Sequence, residues 1–132
     1  MDALDLRDSC IAALQHLDVD VTDDGVEKDS DGRVRRTVIL GVTAGVAGNR
    51  RAAGGSVDRT GTVNALVVTA SRDSCLWLVQ RVRDALADLP LGSPHGRLTD
   101  ASYDAEPQPE PGTTPARWSQ ALAFTITRKR GH

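Results

Sequence analysis

The chain has 132 residues, with 18 acidic side chains against 16 basic ones and a net charge of -2 at neutral pH. That length fits one domain, residues 1–132, which buries roughly two thirds of the surface its unfolded chain exposes. The charge balance gives no bulk positive field, so non-specific attachment to nucleic acid or to an anionic membrane is disfavoured. No stretch approaches the roughly 20 apolar residues of a membrane span. The opening segment carries Asp2, Asp5, Asp8, Asp18 and Asp20 with no apolar run of signal-peptide length, which predicts a protein made and kept in a cytoplasm. The two cysteines, Cys10 and Cys75, are then expected to stay reduced and to pack as small hydrophobes.

Over residues 2–17, Leu6, Cys10, Ala13, Leu14 and Leu17 recur at helical spacing. Asp5, Asp8, Ser9, Ala12, Gln15 and His16 fall on the opposite side, so the segment reads as an amphipathic helix with one face to bury. Val19 and Val21 alternate with Asp18 and Asp20 as a short strand, which ends at the Asp23-Asp24-Gly25 turn. Residues 34–42 set Val34, Val38, Leu40 and Val42 on one side and Arg35, Thr37 and Ile39 on the other, the pattern of a half-buried strand.

Residues 43–61 contain Gly45, Gly48, Gly54, Gly55 and Gly61 with Arg50, Arg51 and Arg59 among them, and read as a long flexible loop. A loop of that length inside a small domain is expected to be functional, so these arginines are candidate partner contacts. Residues 62–70 carry Val63, Leu66, Val67 and Val68 and pair with 34–42 as a hairpin. Ser71 then caps a helix over 72–89 that stops before Pro90 and buries Cys75, Leu78, Val79, Val82, Ala85, Leu86 and Leu89. Trp77 falls on that helix's polar side with Gln80, Arg81, Asp84 and Asp88; an exposed tryptophan calls for cover by a partner or by a loop of its own chain. A short strand is expected near 98–103. Residues 104–116 hold Pro107, Pro109, Pro111 and Pro115 with Asp104, Glu106 and Glu110, which reads as an extended, flexible acidic loop outside the core. The last strand, 117–128, puts Trp118, Leu122, Phe124 and Ile126 on one face. The fold class is therefore α+β, a mixed or antiparallel sheet of four or five strands packed on two amphipathic helices.

Sites for chemistry are poorly supported. Asp20, Thr22, Asp24, Gly25 and Asp31 approximate a calcium loop, but the twelfth position is Asp31 rather than Glu and strands flank it, so a solvated turn is the better reading. His16, His95 and His132 lie far apart without metal spacing. Ser9-Cys10 and Ser74-Cys75 lack an adjacent activating histidine. The glycines of 41–61 lie between strands, not between a strand and a helix as phosphate binding requires. Arg50, Arg51 and Arg59 have no aromatic neighbours in their loop to stack on bases. No catalytic residue, metal or cofactor is assigned, and the function is expected to be binding.

The opening helix, the strand and helix over 63–89, and the close on Arg117-Trp118 with Leu122-Ala123-Phe124-Thr125-Ile126-Thr127 together resemble the tail terminator proteins of long-tailed phages, of the lambda-type fold. The resemblance implies a non-enzymatic structural virion protein at the neck end of the tail, assembled in the host cytoplasm. Its partners would be further copies of itself in a hexameric ring, the tail tube protein, and a head-to-tail connector or neck protein, with DNA only as passing cargo. In such a ring Arg50, Arg51, Arg59, Trp77 and Arg81 are the candidate subunit or partner contacts, and Asp104, Glu106 and Glu110 a candidate channel lining that repels DNA. Two other readings remain open: a neck or head-to-tail connector protein, and a small subunit of a cytoplasmic complex that acts only with a partner chain.

Overall fold

The apolar residues Leu6, Cys10 and Leu14, each four positions after the last, place one buried stripe along helix α1 (Ala3–Leu14) in the computed structural model. The structure describes residues 3–28, 32–43, 61–92, 96–102, 105–112 and 116–127. After α1 the chain tightens into a 3-10 turn (Gln15–Leu17) and reverses at Asp18, whose φ of 55° is left-handed and ends the helix. Strand β1 (Asp20–Thr22) runs parallel to β2 (Thr37–Thr43). The β-branched runs of β2 and β3 (Thr62–Thr69) pair antiparallel from Thr37 with Val68 to Thr43 with Thr62, which is the hairpin expected from the sequence. Helix α2 (Arg72–Leu86) follows, then β4 (Arg97–Asp100), β5 (Gln108–Pro109) and the long β6 (Trp118–Thr127).

The sheet has six strands in the order β1-β2-β3-β6-β4, with β5 also on β6. It is α+β and mixed, the single parallel pair being β1 with β2 among the described strands. Register assigns Val38, Leu40, Val63, Ala65, Val67, Leu122, Phe124 and Leu98 to one face, and these join Leu6, Leu14, Leu78, Val82 and Leu86 of the two helices in one buried cluster. Phe124, the chain's only phenylalanine, is fully covered there. Removing its ring would cost about 3–5 kcal/mol. The opposite face has no described helix against it: Ile39 and Leu66 are half-buried, Asn64, Gly41 and Ala121 exposed, and Thr37 and Val68, at one end, covered.

Four boundaries differ from the sequence reading. The strand expected from residue 34 starts at Thr37, because Val34 bridges Lys28 instead and Arg35 turns out to Asp20. Helix α2 ends at Leu86, short of 89: Ala87 turns extended (φ -64°, ψ 132°) and Asp88, at φ 61°, donates its N–H to the Leu98 carbonyl, so the chain leaves the helix before Pro90 is reached. The fourth strand spans Arg97–Asp100 rather than 98–103, since Ser102 continues along β6 through its side chain: Oγ donates to the Ala123 carbonyl at 3.2 Å and accepts the Ala123 N–H at 3.0 Å. The Pro-rich segment is not purely loop, for Gln108–Pro109 pair with Ser119 and Trp118 and Pro107 is buried. Pro fits such an edge strand because no ladder donor is needed on its outer side.

Candidate interaction surface

Helix α2 presents its N-terminus beside the start of β2. Ser71 caps it, its hydroxyl accepting the Ser74 N–H at 3.2 Å, and Asp73 lies in its first turn. Arg36, just ahead of β2, reaches across to this helix: its Nε donates to Ser74 Oγ at 3.3 Å and its guanidinium carbon stands 4.8 Å from the centroid of the Trp77 ring. Arg81, one turn further along α2, places its guanidinium carbon 5.3 Å from the same centroid. Trp77 remains 41% exposed and its neighbour Leu76 42%. Each exposed cation–π contact is worth about 0.5–1 kcal/mol, enough to fix the ring's orientation but not to cover it. Of the two covers the sequence leaves open for Trp77, the described part of the chain supplies two arginines and no loop.

An open groove of about 850 Å³ adjoins this patch, lined by Asp18, Asp20, Arg33, Arg35, Ser71 and Ser74 among others. Its charges are largely matched. Arg35 forms a two-pronged bond to Asp20, Nε to Oδ2 at 2.7 Å and Nη2 to Oδ1 at 2.9 Å, and that hydrogen bond is what raises the guanidinium's pKa further. The Ser71 and Ser74 hydroxyls are engaged in the helix cap and with Arg36. The groove's described lining includes no histidine or cysteine that would activate either hydroxyl.

Of the residues singled out in the sequence, Trp77 and Arg81 are brought together, and Arg36 joins them from 41 positions upstream of Trp77. Arg50, Arg51, Arg59 and Asp104 lie outside the described residues, as do Asp31, His95 and His132. Glu106 stands 4.0 Å from Arg72 with its side chain 77% exposed, whereas Glu110 is part-buried against Arg117. Glu110 therefore ties the β5 segment to the start of β6, and its charge is compensated within the chain.

Cys10 and Cys75 are free and buried. Burial pushes the Cys10 thiol up to about 11. Burial also raises Cys75, against a smaller opposite effect of a hydrogen bond from Thr69. Both are protonated core residues near neutral pH. Asp100 is lowered: burial works against its charge, but hydrogen bonds from Ser102 and the Arg83 guanidinium at 3.2 Å outweigh it. The side chain of Gln120 is buried on the helix side of β6, and its Oε1 has no hydrogen-bond partner among the described residues. Among the described residues no group of three or more His, Cys, Asp or Glu is placed to hold a metal ion, and no helix is long and apolar enough to cross a membrane.

Arg36 is the contact that sequence reasoning missed. Its only local signal is the Arg35-Arg36 pair within the strand expected over 34–42, which says nothing about a helix that begins 36 residues later. Comparison with known proteins adds no family assignment: no protein-family model and no curated protein matches the chain.

Proposed function

We propose that this protein is a structural assembly subunit that forms a ring on the head-proximal end of a phage tail tube, ends the tube's growth and joins it to the neck. The observation that carries the reading is Trp77, held exposed on a polar helix face by Arg36 and Arg81 rather than folded into the core. Tryptophan and arginine are the residues that most often dominate protein interfaces, and a ring needs such an anchor on one flank of each copy. The order of helix, strands, helix and closing strand, on which the resemblance rests, supports the same reading. Within it, the exposed Glu106 is the described acidic residue of that segment that would face passing DNA, and Glu110 is a structural partner of Arg117.

The test is to add purified protein to tail tubes of a long-tailed phage and examine the tube ends by electron microscopy. The reading expects rings seated on one end and tubes that no longer elongate when tube protein is supplied. Tubes that stay bare and keep growing count against it. The groove beside α2 favours a second reading, a partner-dependent subunit, because its size is that of a small-molecule site. A stable monomer that binds a ligand there would select that reading.

A further inference from the structure

Two surface patches of opposite character sit at opposite ends of the helical layer. The first is Trp77 with Arg36 and Arg81, next to the start of β2. The second lies on the opening turns of α1, where Leu4 is 66% exposed and is flanked by the exposed Asp5 and Asp8. It belongs to the other end of the sheet, since Leu6, half a turn along, approaches Gly61, which in turn adjoins Thr43 at the finish of β2. Leu4, Leu76 and Trp77 are the large hydrophobic side chains that the described residues expose. They fall into these two places, the first with basic side chains in excess, although the exposed Asp73 lies one turn before Trp77, and the second with acidic ones in excess, although Arg7 lies one turn after Leu4 and pairs with Asp23 at 3.9 Å.

We propose that the two patches are the two halves of one interface between copies: the Trp77 ring of one copy packs against Leu4 of the next, with Arg36 and Arg81 facing that copy's Asp5 and Asp8. The occupant is a second copy because the chain carries the complementary surface itself. An apolar anchor in a rim of net positive charge is matched by an apolar side chain in a rim of net negative charge. The contact joins unlike patches, so it is head-to-tail, leaving one free half at each end of any chain of copies, and only a closed ring satisfies them all. The inference rests on the ring reading and gives that ring its contacts.

The test uses the intact chain, with mass measured by light scattering after size exclusion and folding of each variant checked by circular dichroism. Trp77→Ala, which removes an exposed side chain, is expected to weaken self-association on the order of 10- to 30-fold. R36E/R81E and D5R/D8R are each expected to be folded and monomeric at concentrations where the unaltered protein assembles. Mixed one to one they regain both junctions, one native and one charge-reversed, and should assemble together into closed species in which the two variants alternate, whereas each alone does not. All four changes in one chain should restore assembly. If the unaltered protein forms rings and these variants form them equally well, the interface lies elsewhere, and the ring reading survives without this contact. If the unaltered protein stays monomeric up to millimolar concentration, a second copy is not the occupant and the inference falls, whatever tail tubes do.

Discussion

A glycine within β2 and another just ahead of β3 should respond oppositely to the same added methyl group. Gly61 is buried just ahead of β3, and a Cβ there would stand 2.8 Å from Ile126 Cδ1, 3.1 Å from the Thr43 carbonyl oxygen and 3.2 Å from Leu6 Cδ2. The backbone has little room to yield, because the Gly61 carbonyl accepts the Ile126 N–H at 3.0 Å. Overpacking of this kind costs about 1–3 kcal/mol, and the reduced freedom of the unfolded chain returns about 0.4–1 kcal/mol, so Gly61→Ala should lose on the order of 1–2 kcal/mol. Gly41, in the middle of β2, has nothing within 4 Å of its added Cβ and an ordinary strand φ. There Gly41→Ala should gain about 0.5–1 kcal/mol. Urea unfolding followed by circular dichroism reads both as shifts of the midpoint at constant slope. Ile126→Val removes the nearest methyl, so G61A/I126V should be less destabilised than the sum of the single changes. A Gly61→Ala protein at least as stable as the original would refute the close packing of α1, β2 and β6 around that position.

Other perturbations test the core, the cap and the ionic contacts. The Cys10 thiol, ordinarily near 9.0, is held up to about 11 in the folded protein, so the unfolded state sheds its proton first as pH rises. Stability should therefore fall by roughly 1.4 kcal/mol per pH unit between about 9 and 11, and that slope should shrink in Cys10→Ala, as followed by denaturant unfolding at each pH. Asp100 has the opposite sign, its lowered pKa giving stability that is present above its ordinary value of 3.8 and lost as pH falls through the folded value. Because the group is about one-third exposed, Asp100→Asn should remove only a fraction of a kcal/mol of acid sensitivity, measured between pH 5 and 2 by the same unfolding curves. Ser71→Ala deletes the α2 cap and should lower stability by about 1 kcal/mol, an effect Ser71→Asp should largely avoid, as thermal unfolding would show.

The buried stripes were readable in advance because burial obeys period. Cys75, Leu78, Val79, Val82 and Leu86 are the covered face of α2, and Val38 and Leu40 meet Val67 and Ala65 across the hairpin. Places where one local device overrides the pattern were not readable. At the end of α2, extended Ala87 and left-handed Asp88 stop a helix whose apolar spacing continues to Leu89. Ser102 stands in for strand backbone along Ala123, and a proline-rich segment lends Gln108 and Pro109 to a sheet edge. Gln120 sits among core positions that the alternation of β6 assigns to apolar side chains. At the surface, Trp77 stood out in the sequence as an apolar side chain on a polar face, while its pairing with Arg36 depends on how β2 is set against α2, which only tertiary packing decides.

Assembly of copies of this chain through unlike patches would show in the mass of the purified protein across a concentration series. A hexameric ring gives a rise from monomer to one closed species of six subunits, weakened by salt because exposed charges form the rim of the contact. A mass that stays at one chain throughout, or halts at a two-fold dimer, would contradict it.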